Sequence, residues 1–365
     1  MLEVTASAPG KVILMGEHAA VYGRPAVVAA IGLRLRATLR ELAPGDPLIL
    51  ALPDLSAEAE TTWPEVFEYA REVRRRWRAY AESPSRESFR QLRSDDPAHL
   101  VKVALGEGLR AAGPGFPGPS RGARIEISSA IPVGSGFGSS AALAAAVLAV
   151  LEAWQGREIS TSRLQGAALE IEPRSHGFPS GVDTTTVLAG GILFVERSGE
   201  ELEANAVEAL PGMLRRFALF DSGPPGEPTG SVVAEVRTLK EQAPHRVDGL
   251  LELMAGATLE FRRSLSETEA DPGPAPSIKS FQRCLEDLGV VPREVQERVR
   301  QVEAAGGAAK ISGAGSLSGP GAGSLLVYHP DPGSIARWPF LSDFRRFQVP
   351  LGDGGVRIEV SASSP

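Results

Sequence analysis

Short apolar or β-branched runs open the chain, at Val4 to Ala8, Val12 to Met15, Ala26 to Ile31 and Arg34 to Leu39, punctuated by Pro9-Gly10, Gly23 and Gly32. This alternation predicts strands joined by tight turns. After Pro64 the period changes. Val66, Tyr69, Ala70, Val73, Trp77 and Tyr80 recur at helical spacing, so one stripe of that helix faces a core while Arg71, Arg74, Arg75, Arg76 and Arg78 occupy the other side. Asp96-Pro97 reads as an N-cap and first turn for a second helix carrying Val101, Leu105 and Leu109, ended by a Gly/Pro-rich loop from Gly113 to Gly122. Arg124 to Ser128 alternates like a strand, and an Ala/Leu/Val-rich helix ends near Trp154. Ser160 to Glu172 reads as a helix and Gly191 to Val195 as a strand.

The acidic stretch from Ser198 to Glu208 is the expected domain boundary, giving residues 1–208 and 209–365. Beyond it the pattern predicts a strand at Phe217 to Phe220 and helices at Thr229 to Gln242, His245 to Leu265, Ser277 to Leu288 and Pro292 to Ala305. Strands at Ser324 to Tyr328 and Val356 to Val360 follow. Asp271 to Pro276, with three prolines, reads as a loop between helices. No internal repeat is visible. Strands and helices mixed in both halves make the expected class α+β.

Composition narrows the function. The 365 residues are 42% hydrophobic and 23% charged, a globular balance, and 38 Lys plus Arg against 45 Asp plus Glu leave a net charge of −7. An acidic chain argues against a general nucleic-acid binder and favours a solvated face for the arginine cluster. Cys284 is the only cysteine, so neither an intrachain disulfide nor a thiolate metal cluster can form, as suits a reducing cytoplasm. The first eight residues lack a secretory pattern. The longest apolar run, Ala141 to Leu151, is shorter than the ~20 residues of a membrane span. A cytoplasmic protein with no membrane partner is expected.

Four segments could carry chemistry. The first, Ile131 to Ala142, reads Ile-Pro-Val-Gly-Ser-Gly-Phe-Gly-Ser-Ser-Ala-Ala and runs straight into a helix. Glycines 134, 136 and 138 let backbone N–H groups converge, and the helix N-terminus adds positive potential, so phosphate is the natural ligand. Ser139 and Ser140 could bind a phosphate oxygen or Mg²⁺. A Gly-rich turn capping a buried helix is the plainer reading. No P-loop, nucleophile-elbow or H-E-x-x-H pattern occurs in the sequence, and Gly134-x-Gly136 is followed at the third position by Ser139, so this loop fails the dinucleotide fingerprint as well. In the second, Ala8 to Pro25, Lys11, Glu17 and His18 are embedded in apolar sequence, and Lys11 is expected to face a carboxylate. Glu172 to Asp183 gathers Glu172, His176, Ser180 and Asp183 in what reads as a Gly/Pro-rich loop, where a turn stabilised by Asp183 is an equal alternative. The fourth segment, a third glycine cluster from Lys310 to Gly323, has five glycines in fourteen residues, enough for close backbone approach to a ligand or for tight turns.

In order and separation these segments resemble the GHMP kinases over nearly the whole chain, from Ala8 to Gly323. Ala8-Pro-Gly-Lys11, Gly16-Glu17-His18, Val21-Tyr22-Gly23-x-Pro25 and His176-Gly-x-Pro-Ser-Gly-Val-Asp183 are most similar to the mevalonate kinase family within it. The resemblance implies a two-domain GHMP fold, with an N-terminal ribosomal-protein-S5-like domain and a C-terminal ferredoxin-like domain. It further implies ATP- and Mg²⁺-dependent phosphorylation of the primary hydroxyl of mevalonate, in isoprenoid precursor synthesis. Asp183 would take the hydroxyl proton, with Lys11 paired to it. Pro132, Gly134, Ser135, Gly136, Phe137, Gly138, Ser139 and Ser140 would hold the nucleotide, and Ser140 and Glu172 the Mg²⁺. Glu17, His18, His176 and Thr229 would meet the acid substrate.

Three positions depart from the family pattern. Phe137 stands where Leu is usual, Leu317-Ser318-Gly319-Pro320 interrupts the third glycine cluster, and Ser175 stands where an apolar residue usually lines the substrate site. A kinase acting on phosphomevalonate or a sugar, and a catalytically silent nucleotide binder, are the rival readings. Retention of both Lys11 and Asp183 argues against the silent form. A homodimer is compatible with the resemblance.

Overall fold

The computed structural model describes residues 2–83, 94–111, 113, 120–132, 134–176, 181–199, 201–267 and 273–359, excepting the side chains of residues 173–176 and 198. The opening pattern resolves into two long strands, not four short ones: β1 (Glu3–Met15) and β2 (Ala26–Pro44) pair antiparallel over almost their full lengths. The expected turn residues mark an irregularity inside this pair. Pro9 faces Arg34 while Gly10 faces Ile31, so Gly32 and Leu33 are extra residues on β2, as in a β-bulge. Glycine is required by close approach, since a Cβ at Gly10 would lie 2.9 Å from the Phe137 carbonyl oxygen and one at Gly32 would lie 2.9 Å from Pro350. Only Gly23, at φ 76°, closes a true turn after the single 3-10 turn Ala19–Tyr22.

β3 (Leu48–Leu52) and β4 (Ala57–Thr61) were not expected from the pattern. α1 (Trp63–Glu82) starts at a capping box between Thr62 and Glu65 and buries Val66, Ala70, Val73 and Tyr80. Its arginine face is matched by carboxylates: Arg75 and Arg76 pair with Glu72, Arg71 with Glu68, and Arg74 with the buried Glu107. α2 (His99–Ala111) follows the Asp96 cap, whose Oδ1 accepts from Ala98 N at 2.8 Å.

Next come β5 (Arg121–Ser129), α3 (Ser139–Trp154), α4 (Thr161–His176), α5 (Val182–Ala189), β6 (Ile192–Ser198) and β7 (Glu201–Ala206). The helix α3 is apolar nearly all round and is buried accordingly. Within the acidic stretch expected at a domain boundary, β7 pairs with β6, its exposed acidic side chains lying on a sheet edge. The eight-stranded sheet runs β12 (Arg357–Glu359), β1, β2, β5, β3, β4, with β6 and β7 continuing from the other end of β2.

The second half supplies β8 (Phe217–Asp221), α6 (Thr229–Gln242), α7 (Pro244–Ser266), α8 (Ala275–Asp287), α9 (Arg293–Ala304), β9 (Ala308–Ser312), β10 (Ser324–Tyr328) and β11 (Arg345–Phe347). These strands form an antiparallel sheet in the order β11-β8-β10-β9. β12 (Arg357–Glu359) then returns to the first sheet beside β1. Arg34 fastens that return, donating from Nε to Ser7 Oγ (3.0 Å) and from its two terminal nitrogens to Asp353 Oδ2 (2.7 Å) and to the carbonyls of Ser7, Gly354 and Gly355. One continuous apolar core crosses both sheets. Among the described residues, no helix is long and apolar enough to cross a membrane.

Candidate active site

A cleft of about 400 Å³ lies where the end of β1, the loop before α3, the starts of α5 and α6 and the two ends of the loop between β9 and β10 meet. The loop is shaped by left-handed glycines: Gly134, Gly136 and Gly138 have φ of 78°, 80° and 72°. At Gly138 a Cβ would stand 2.7 Å from Lys11 Cγ, so glycine here also makes room for the lysine stem. Gly138 is the N-cap of α3 and offers no side-chain cap, leaving the first-turn N–H groups to an anion. Ser135 Oγ donates to Pro132 O at 2.8 Å, bracing the loop. Phe137 is buried with its ring edge-on to Phe347 at 5.1 Å, while its carbonyl accepts from Lys11 N at 2.9 Å. Ser139 and Ser140 open α3 and line the cleft.

Lys11 Nζ stands 2.8 Å from Asp183 Oδ1. The loop expected around Asp183 is instead mostly helical: Glu172 lies on α4 and Asp183 in the first turn of α5, with residues 177–180, including Ser180, outside the described residues. The triple threonine at 184–186 explains the missed helix, because β-branched residues weaken helical propensity but here their burial holds the turn. Glu172 accepts from Gly181 N (3.1 Å) and Thr184 Oγ1, and lines the cleft with Asp183. Burial, reinforced by the Asp183 charge, pushes its carboxyl up to about 7.

Glu17, His18 and Thr229 line another part of the same cleft, with Thr229 the first residue of α6. The His18 backbone is left-handed at φ 57°, unusual for a non-glycine residue. Its ring bonds the Ala314 carbonyl at 2.9 Å through Nε2, and burial lowers its pKa, so it is a neutral donor there. His176 ends α4, and its side chain, like that of Ser175, lies outside the described residues.

Two polar residues at the site were not singled out by sequence reasoning. Lys310, on β9, is fully buried and donates to Glu17 Oε1. It heads the third glycine segment in the sequence, yet no local signal could reveal a partner 293 positions away. Glu227 accepts from Ser316 Oγ (2.9 Å), Leu317 N (2.9 Å) and Ser318 Oγ (2.5 Å), clamping the residues that interrupt the third glycine cluster. That cluster backs the first loop closely: a Cβ at Gly323 would lie 3.3 Å from Ser135 O, and one at Gly136 would lie 3.3 Å from Ser312 O.

A glycine-shaped anion cradle on a helix start, an ammonium–carboxylate pair at its lip and two backing sheets define a small-molecule kinase of the GHMP class, and the family model described as "GHMP kinases N terminal domain" matches residues 99–191. The mevalonate kinase of Archaeoglobus fulgidus is 30% identical over 315 residues, covering 85% of this chain and 88% of that protein. That of Pyrococcus furiosus is 29% identical over 341 residues, covering 90% of each. The crystal structure of the Methanococcus jannaschii mevalonate kinase shares the fold, with a TM-score of 0.73 at 19% identity over 96% of this chain and 98% of that one. The chain belongs to the mevalonate kinase family of GHMP kinases.

Proposed function

We propose that the protein transfers the γ-phosphoryl group of ATP to the primary hydroxyl of mevalonate, forming 5-phosphomevalonate and ADP in isoprenoid precursor synthesis. The observation that carries the mechanism is the Lys11–Asp183 pair at 2.8 Å, opening on the same cleft as the Gly134–Ser140 loop. The substrate oxygen attacks the γ-phosphorus as the bond to the β,γ-bridging oxygen breaks. Asp183 takes the hydroxyl proton, and the Lys11 ammonium offsets the negative charge on the attacking oxygen. Backbone N–H groups of the loop and the start of α3 hold the phosphates. Glu17, His18, Thr229 and His176 form the acceptor side.

Ser140 and Glu172 suit Mg²⁺, which keeps several waters and phosphate oxygens and needs few protein ligands. Among the described residues, no group of three His, Cys, Asp or Glu could hold a metal alone. Glu172, with its raised pKa beside a second carboxylate, is a donor that a divalent cation would return to the ionised state. When bound, the ion neutralises charge on the β- and γ-phosphates.

The described lining favours mevalonate over phosphomevalonate. Lys11 is its single lysine or arginine, against Glu17, Glu172 and Asp183, so an acceptor already bearing a phosphate meets more repulsion than a monocarboxylate. We place the enzyme in the cytoplasm, with a homodimer as its proposed assembly and a domain division near residue 208 that leaves β12 with the first sheet. ADP release with Mg–ATP is measured against mevalonate, phosphomevalonate, galactose and homoserine, and the phosphorylated position is assigned by ³¹P NMR. Turnover with mevalonate at its primary hydroxyl is expected; inactivity on mevalonate, or preference for phosphomevalonate, overturns the assignment.

A further inference from the structure

The end of β1 and the turn after it are joined to the β9 region by three residue pairs, the first of which, Ile13–Ser312, also has Ile13 N donating to Ser312 Oγ (3.1 Å). Ser312 Oγ donates to Ile13 O (2.9 Å), His18 Nε2 bonds Ala314 O (2.9 Å), and Lys310 Nζ donates to Glu17 Oε1. The third is unlike the others, because it consists of two opposite charges on side chains with no solvent exposure. Such a pair is expensive to desolvate, and well-packed apolar residues could join the same elements at no greater cost. The geometry shows what apolar residues could not do. Glu17 lines the cleft and Lys310 does not, and Glu17 Oε2 is buried without a hydrogen-bond partner. One carboxylate oxygen is therefore pinned from behind, and the other retains its capacity to accept.

We infer that Lys310 is a positioning residue of the acceptor site, holding Glu17 so that its unpartnered oxygen accepts a hydrogen bond from a non-reacting hydroxyl of the acceptor. A carboxylate at that point repels the acid end of the substrate and rewards an uncharged donor. In mevalonate that donor is the tertiary hydroxyl at C3. The inference rests on the acceptor assignment above. It adds that selectivity for the hydroxyl is set in the second sheet, by a residue outside the cleft wall.

The test uses the full chain with Mg–ATP, mevalonate and 3-deoxymevalonate. The wild type should show a KM for the deoxy acceptor about 10–100-fold above that for mevalonate, the range expected when a charged acceptor loses its donor. Lys310→Met should raise the mevalonate KM by a similar factor and reduce the preference over the deoxy acceptor to within about threefold, with the ATP KM changed less than about twofold. Glu17→Gln should do the same, and the double variant should be no worse than the more impaired single variant. The double variant also leaves no stranded charge, so it serves if Lys310→Met fails to fold. A preference for mevalonate that survives in Lys310→Met or in the double variant, or a Lys310→Met defect confined to ATP KM or kcat, overturns the inference alone. Equal KM values for the two acceptors in the wild type overturn it as well. A wild type inert toward mevalonate overturns the functional assignment and the inference with it.

Discussion

Two lysine–carboxylate pairs stand within a few residues of each other along the N-terminal segment, and they are built in opposite ways. Lys11–Asp183 opens on the cleft, with the Asp183 side chain 19% exposed, whereas Glu17–Lys310 is sealed with both side chains at 0%. A group that takes a proton from an incoming hydroxyl needs access to it, and a charge in partial contact with water carries less desolvation cost. A group that fixes geometry benefits from the reverse, because in a dry setting the attraction is strong and the penalty for breaking the pair is large. The difference separates two tasks: the open pair carries the proposed chemistry, and the sealed pair sets the shape of the wall around it.

Asp183→Asn gives the sharpest test of that division. Removing the proton acceptor should lower kcat by about 10²–10⁴-fold, the usual contribution of general base catalysis, with little change in thermal midpoint. Retention of full activity, with folding confirmed by circular dichroism, would remove the open pair from the chemistry. The sealed pair should respond in the other coordinate. Glu17→Ala strands Lys310 as a buried charge and should cost about 3–5 kcal/mol in chemical denaturation. An equal loss in Asp183→Ala would abolish the contrast.

The loop offers a smaller perturbation of the open pair that leaves both charged groups in place. At Gly138 a Cβ would meet Lys11 Cγ at 2.7 Å with the backbone at φ 72°, whereas at Gly134, also left-handed, nothing lies within 4 Å. Gly138→Ala therefore adds a clash with the lysine stem to the backbone strain of roughly 1–3 kcal/mol that both variants share. About a 30-fold loss in kcat/KM is expected for Gly138→Ala, and several-fold less for Gly134→Ala. Equal losses would mean that strain alone matters and that the lysine stem tolerates displacement.

The two pairs also differ in how far sequence reasoning reaches them. Lys11 and Asp183 each sit in a motif, and Lys11 in an apolar strand already asks for a carboxylate. Their meeting was expected and is observed. Glu17 is in the same motif, but its partner lies 293 residues away on β9, a strand the pattern did not reveal because Ala308, Ala309 and Lys310 are poor strand formers, unlike the Leu-Leu-Val-Tyr run of the equally short and buried β10. The fold follows the same rule. The long helices of the second half were recovered to within two residues at either end, Thr229–Gln242 to the residue. The bulged β1–β2 pair was divided at Pro9-Gly10 and Gly32, since glycine demanded by close approach looks the same in a sequence as glycine demanded by a turn. The clamp by Glu227 on Ser316–Ser318 was hidden for a similar reason, because it joins two loops about 90 residues apart that carry no period at all.

The smallest expected effect concerns a third carboxylate between these extremes. Glu172 is buried like Glu17 but faces Asp183, not a lysine, and burial followed by that charge raises its pKa from 4.5 to about 7. A folded-state value above the unfolded one means that the folded protein binds the extra proton, so this group's contribution to stability is fully present below about pH 4.5 and is lost as pH rises through about 7. Mg²⁺ reverses the preference, because a metal-bound carboxylate must be ionised. Thermal midpoints without Mg²⁺ should accordingly fall between pH 5.5 and 8 more steeply in the wild type than in Glu172→Gln. Mg–ADP affinity, read by calorimetry, should rise several-fold from pH 6 to 8 in the wild type, up to a limit of about tenfold per pH unit for one displaced proton. The nucleotide's own protonation is common to both proteins and cancels in their difference. Parallel pH profiles for wild type and variant would separate Glu172 from the metal and leave the open pair to work with nucleotide and backbone alone.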